Sequence, residues 1–342
     1  MNSRKTIIIA TLLIAILFLL SLASLRWGAV HISNDEIIDT FAKLLNNNDI
    51  SDLNQRIFLY IRLPRVFMGI FVGAALAVGG VLMQALFRNP IVEPGLIGTS
   101  SGAAFGAALY FVLGASFKIN LGEWTLPVAA TIGGIISTAL VLYLSRSKES
   151  GRNSVISLLL VGVAINALFM SGVGFMSYIA RDPQARSITF WNLGTLSGAY
   201  WEALYFVATI SIICILLSLN YAKQLNTLML GEQEAQLLGI NVNRLKIIVL
   251  LINVIMVAVA TAFVGVIAFV GLIVPHLLRI INGSDNRFLV WSGAITGAIV
   301  LTASDLIARL LLAPAELPIG IVTSVIGVPI FIILLRKSNY IY

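Results

Sequence analysis

The stretch Ile247–Ile281, IIVLLINVIMVAVATAFVGVIAFVGLIVPHLLRII, decides how this chain folds. Arg279 is its one charged residue. As a single helix rising 1.5 Å per residue it would be roughly 50 Å long. The hydrocarbon layer of a bilayer is about 30 Å thick. One helix does not fit, so the stretch reads as two spans joined by a tight reversal near Gly265–Gly271.

Further apolar runs lie on both sides of it. Thr6–Leu25, Val66–Phe87, Ile97–Leu113, Leu126–Leu144, Val155–Ile179 and Tyr200–Leu219 precede it, and Leu289–Ala308 and Pro318–Leu335 follow. Each approaches the ~20 residues that a spanning helix needs. The expectation is an all-α, polytopic membrane protein of ten spans, forming one transmembrane domain over residues 1–342. Thr6–Leu25 follows Arg4 and Lys5, as a signal peptide would. Arg26-Trp27 then stands where a small-residue cleavage site is required, and more spans follow, so it reads as a span.

Composition agrees. Of the 342 residues 59% are apolar and 11% charged, against about a quarter charged in soluble domains. Mean hydropathy is +0.98. Nucleic-acid binding and a cytosolic enzyme are excluded. Two His and the single Cys214 rule out a zinc cluster and a disulfide framework. No G-x-x-x-x-G-K-[ST] phosphate loop occurs, so ATP chemistry must come from another chain. No metal site or cofactor is expected.

An even span count puts both termini on one side. If that side is the cytoplasm, its segments hold thirteen of the 22 basic residues against five acids, Glu93 among them. Lys148, Glu149 and Arg152 belong to this inner set. The other side holds nine basic and ten acidic residues. The positive-inside bias places both ends in the cytoplasm. In the first outer loop, Asn34-Asp35-Glu36 has helix-start character, and Asn46–Asp52 is a turn-rich break.

Glycines spaced along the spans, such as Gly69 and Gly73, or Gly102 and Gly106, suit close helix packing in lipid. Pro90, Pro94, Pro275, Pro314, Pro318 and Pro329 interrupt or flank spans. Broken helices at membrane depth persist where protein or a water-filled cavity satisfies the freed backbone. Transporters use this device. The span centres look nearly free of acids and bases, which speaks against an ion-coupled secondary transporter. A membrane enzyme would need converging ionisable groups, and none is apparent.

Three groups of residues stand out. Arg62 and Arg65 sit just outside the second span, and Asp305 and Arg309 are one helical turn apart at the outer end of the ninth. They read either as interfacial anchors or as a charged docking rim. Gly231 and Gly239 bracket a short helix-forming stretch, Glu232–Leu238, with Ala235, Leu238 and Leu237 as an apolar face. Its polar face is acidic, which suits insertion into a partner protein better than lying on lipid. Finally, Arg181–Trp191 is an outer segment rich in arginine and aromatics.

These residues together resemble the FecCD-type permeases, the iron-chelate and vitamin B12 permeases of bacterial ABC importers. The matching motifs run from Arg62-Leu63-Pro64-Arg65 through Gly73–Ala77 to Gln84, Asn89-Pro90, Glu93–Gly98 and Ser101–Ala103. They continue with Leu230-Gly231-Glu232, Ala235 and Leu238-Gly239, then Gly271–His276 with Arg279, Asp305 with Arg309, and Glu316–Gly320. The resemblance implies a type II importer permease in the bacterial inner membrane, working as a homodimer with two ATPase subunits and a periplasmic substrate-binding protein. It implies that Arg62, Arg65 and Arg309 meet acidic residues of the binding protein. Gly231, Glu232, Ala235, Leu238 and Gly239 match the loop that couples to the ATPase. His276 matches a family motif and reads as structural.

The segment Arg181–Trp191 with Gly194 most resembles the corresponding stretch of haem permeases. Siderophore and cobalamin permeases are the alternatives. On that reading Arg181 and Arg186 would meet the haem propionates, and Phe190 and Trp191 would offer the ring an apolar surface. Met176 and Tyr178, with Met170, lie in the fifth span, where they either face the path or pack.

Overall fold

The computed structural model describes residues 3–28, 30–46, 49–50, 52–117, 121–146 and 155–337. Lys148, Glu149 and Arg152, counted above as inner charges, lie outside the described residues. Among the described residues every regular element is helical. In chain order they are α1 (Ser3–Arg26), α2 (Asn34–Leu45), α3 (Leu53–Ile57), α4 (Leu63–Leu86), α5 (Thr99–Phe117), α6 (Thr125–Leu144) and α7 (Val155–Ile179). Then come α8 (Asp182–Asn192), α9 (Trp201–Leu228), α10 (Glu232–Leu237), α11 (Val242–Val264), α12 (Val270–Asn282), α13 (Asn286–Leu311) and α14 (Ile319–Lys337).

Seven helices among the described residues are long and apolar enough to cross a membrane: α1, the continuous Leu53–Leu86 run, α6, α7, α9, α11 and α13. α5, α12 and α14 are apolar but shorter. Each of the ten runs seen in the sequence thus has a helix, although the length criterion alone selects seven.

The stretch 247–281 divides as its length requires. α11 ends at Val264, and Gly265 leaves the helix with φ 77°. Residues 265–269 are not helical, and α12 begins at Val270. At 1.5 Å per residue, the 13 residues of α12 span about 20 Å, less than the hydrocarbon thickness. α12 is a half-helix whose N-terminus opens inside the bundle.

α4 is the central post. It is buried along nearly its whole length and packs on α13, α9, α12 and α11. Two glycine pairs allow this. Gly73 lies backbone to backbone against Gly297 of α13, and Gly80 against Gly271 of α12. A Cβ at Gly73 or Gly80 would overlap the opposing carbonyl. Small residues let helices approach this closely where no hydrophobic effect drives them together. α5 and α6 meet in the same way at Gly102 and Gly133.

α2 is the short helix foreseen in the first loop. Ser33 caps it, accepting from the Glu36 amide while Glu36 reaches back to the Ser33 amide. This reciprocal box satisfies two free helix-end donors.

Candidate functional site

At one end of the bundle α1, α4 and α13 converge on a charged knot. Arg65 donates through Nε and Nη2 to Asp305 Oδ1 at 3.0 and 2.9 Å, and through Nη1 to Glu316 at 2.9 Å. Arg309 Nε pairs with Asp305 Oδ2 at 3.0 Å, the one-turn pairing that the spacing suggests. Arg62 has carbonyl partners instead. Its Nη1 donates to Leu25 O and Arg26 O at 2.7 Å each, and its Nη2 to Val30 O. Arg309 also donates to Ser24 O at 3.2 Å, Trp27 O at 3.3 Å and Ser24 Oγ.

These bonds have a clear cause. The last carbonyls of α1 lack intrahelical partners, and a helix C-terminus favours a cation. Arg62 and Arg309 cap that end. Arg65 and Arg309 share the carboxylates of Asp305 and Glu316 while Arg62 has carbonyl partners only, so the three guanidinium groups leave the knot with a surplus positive charge.

The sequence suggested an open rim of arginines outside the spans. The structure places Arg62, Arg65 and Arg309 within helical runs and buries them, at 5%, 6% and 5% exposure. α3, a π-helical turn over Phe58–Arg62 and α4 form one continuous run, which carries the arginines inward. Of the five charged residues Glu316 is the most exposed, with a side-chain exposure of 38%.

At the opposite end the loop between α9 and α11 holds α10. Gly231, at φ 141°, stands at its start and Gly239, at φ 82°, follows it, so the bracketing glycines have the backbone that favours glycine. Glu232 pairs with Lys246 of α11 at 2.8 Å, fixing α10 to the bundle. The expected single apolar face divides in two. Ala235 is fully buried against the bundle, whereas Leu237 and Leu238 project outward at 88% and 66% exposure, with Leu230 beside them at 69%. Helical residues two apart point about 200° apart, so Ala235 and Leu237 cannot share a face.

The segment Arg181–Trp191 forms α8, a short helix against α5 and α7. The Arg181 amide donates to Gln184 Oε1 at 2.9 Å at its start. Ile188 and Trp191 point inward and pack in one apolar cluster with Met176. Phe190, Arg186 and Arg181 are exposed, as are Tyr178 and Met170 on α7. Phe190 and Trp191 therefore do not form one surface: Trp191 and Met176 are packing residues, and Arg186 and Phe190, one turn apart, form the outer face. Among the described residues no ion pair joins Arg181 or Arg186 to Asp182.

One group escaped the sequence reading. Glu93, counted as a loop acid, accepts a bond from the Phe269 amide at 3.2 Å. Around it Asn253 donates to Pro94 O at 3.2 Å, and Gln84 to Leu272 O at 3.1 Å. Arg279 donates to the Gln84 side-chain oxygen, and His276 is buried nearby on the same half-helix. The Pro94 motif and the Gly271 motif were both visible in the sequence; their meeting was not.

Comparison with known proteins agrees with this architecture. The FecCD transport family model matches residues 13–337. The hemin transport system permease protein HmuU of Yersinia pestis is 40% identical over 327 residues, covering 96% of this chain and 95% of that protein. The vitamin B12 import permease BtuC of Vibrio vulnificus is 36% identical, with 96% and 95% covered. A solved structure described as an inward-facing metal-chelate type ABC transporter superposes with a TM-score of 0.82 at 32% identity, covering 95% of this chain and 98% of that one. Permeases of this kind act with an ABC ATPase and a substrate-binding protein, and the hydrolysis of ATP lies with the separate ATPase chain. A glycine-packed helical bundle with no phosphate loop of its own, matched almost end to end, has one reading: this chain belongs to the FecCD transport family, as a multi-pass membrane permease subunit of an ABC importer.

Proposed function

We propose that this permease carries haem from the periplasm to the cytoplasm of a bacterial cell. The 40% identity to a hemin permease over nearly all of both chains carries the reading. The exposed face of α8 supports it: Arg186 and Phe190, the latter 57% exposed, share that face, and a guanidinium suits a propionate as an aromatic ring suits a porphyrin. Vitamin B12 is the second reading, because a B12 permease reaches 36% identity over the same share of the chain.

In this account both termini are cytoplasmic, and two copies of the chain enclose the path. The exposed apolar side chains of α7 and α14, such as Leu160, Phe175 and Val325, face the second copy or lipid. Two ATPase subunits seat on Leu237 and Leu238 of α10. Their closure on ATP moves the bundle as rigid bodies. The binding protein docks at the Arg62–Arg65–Arg309 knot, whose surplus positive charge attracts its acidic residues. The test is haem uptake by reconstituted Arg186→Ala and Phe190→Ala permease. Lower haem uptake with unchanged ATPase assembly supports the reading; uptake equal to the parent removes α8 from the path.

A further inference from the structure

Two interrupted helices meet beside α4, and a single carboxylate joins them. α4 ends at Leu86, and the chain then turns back along it before α5 starts at Thr99. The depth of this return can be read from its neighbours. A Cβ built on Gly79, two turns inside α4, would meet both Asn253, midway along α11, at 2.8 Å and Pro94 at 3.1 Å. Thr99 O lies 3.0 Å from the Cβ position of Gly134, well within α6. Glu93 and Pro94 are therefore inside the bundle and not in a surface loop. The second break, residues 265–269, delivers Phe269 to the same place.

Phe269 caps α12 with φ 70°. Arg88 is the other non-glycine residue with positive φ among the described residues. An aromatic residue in the left-handed region is strained by its Cβ, and such strain persists only where the surroundings hold it. Here two things hold it. Glu93 Oε1 accepts from its amide, and Gly327 of α14 leaves room for its Cβ, which lies 2.8 Å from where a glycine Cβ would stand. The rest of α12 is held to α4 by Gln84 and by the Gly80–Gly271 contact.

We propose that Glu93 is a positioning residue for transport: its carboxylate oxygen holds the Phe269 amide, and so sets the left-handed turn that aims the half-helix α12 within the bundle. α12 is short, broken from α11 and packed on α4, α13 and α14. It is thus the element whose angle a small backbone change at residue 269 would swing. The role belongs to the acceptor oxygen rather than to the negative charge. A glutamine supplies the same oxygen at the same reach, whereas an alanine supplies none.

The test uses the complete complex of permease, ATPase and binding protein in liposomes. Variants are Glu93→Gln and Glu93→Ala, each also placed on Phe269→Gly, since glycine adopts positive φ without support. Two quantities are read: hydrogen exchange at the Phe269 amide, which needs no cargo, and haemin, ferrichrome or cyanocobalamin carried per ATP. Glu93→Ala is expected to speed exchange about tenfold, the order of one buried hydrogen bond, and to lower cargo per ATP. Glu93→Gln is expected to match the parent in both. On Phe269→Gly, Glu93→Ala is expected to add no further loss. Parent-like behaviour of Glu93→Ala overturns the proposal. So does a Glu93→Gln as impaired as Glu93→Ala, which would assign the role to charge. If Glu93→Ala does not assemble, its double variant with Phe269→Gly must assemble, and failure there overturns the proposal too. Because exchange is read without cargo, an error in the haem reading leaves this test intact.

Discussion

Arg65 of α4 and Asp305 of α13 face each other in a buried ion pair, with Nε and Nη2 of the arginine both donating to Oδ1 at 3.0 and 2.9 Å. The pair ties the central post to the helix that packs on it most extensively. Glu316 extends the tie to the turn before α14. Removing the arginine would strip Asp305 Oδ1 of both its donors and leave Arg309 as the ion-pair partner of that buried carboxylate, so its charge would be compensated only in part.

Arg65→Ala is therefore expected to destabilise the permease by up to about 3 kcal/mol, the low end for a broken buried pair because Arg309 stays on Asp305, and by more than Arg62→Ala, which removes carbonyl caps but no carboxylate partner. Thermal unfolding in detergent checks this. An Arg65→Ala protein with the parent's midpoint would show that the pair does not hold α4 to α13. Docking is better tested with Arg62→Gln, which lowers the surplus charge and breaks none of the ion pairs of the knot. Binding-protein association should slow and lose part of its salt dependence.

At the coupling end the two classes of position should separate. Ala235 is fully buried, so Ala235→Glu is expected to unseat α10 and reduce assembled protein. Leu237→Asp with Leu238→Asp alters only outward side chains. It should leave the permease folded while detaching the ATPase or abolishing ATP hydrolysis stimulated by the binding protein. Normal stimulation with normal subunit stoichiometry in the Leu237/Leu238 variant contradicts the coupling role. Gly239→Pro should uncouple as well, because proline cannot take the positive φ found there.

Gly80→Val places a side chain into the Gly271 carbonyl. The loss of folded protein should be larger than for Gly174→Val, where nothing lies within 4 Å of the Cβ position. Equal yields of the two would show that α4 and α12 are not in backbone contact.

Acid should reach one cap late. The Arg287 guanidinium bonded to Asp285, with help from Asn226, holds this carboxyl down at about 2. A folded value below the ordinary ~3.9 of an aspartate means that the cap adds stability above that ordinary value. The contribution is lost as pH falls toward 2. The difference in thermal midpoint between the parent and Asp285→Ala should be constant from pH 8 to pH 5 and shrink below about 4. A difference that changes between pH 8 and pH 6 would contradict this origin.

What was legible in the sequence was what short-range rules govern. The length of Ile247–Ile281 demanded a break, and the break is at Gly265. Gly231 and Gly239 marked the ends of α10. Asn34-Asp35-Glu36 marked the start of α2. What could not be read depends on partners far away in the chain. Arg65 looked like a rim charge because Asp305 lies 240 residues later. Glu93 looked like a loop acid because Phe269 lies 176 residues later. Trp191 looked like a partner of Phe190 because they are neighbours in sequence, while helical rotation sends one inward and the other out.

The proposed import of haem is read from transport itself. The permease, its ATPase and its binding protein are reconstituted in liposomes, and ATP-dependent entry of haemin, ferrichrome and cyanocobalamin is measured in parallel. Accumulation of haemin that stops without ATP and exceeds that of the other two is the expected result. ATP-driven entry of cyanocobalamin or ferrichrome with no entry of haemin would contradict it.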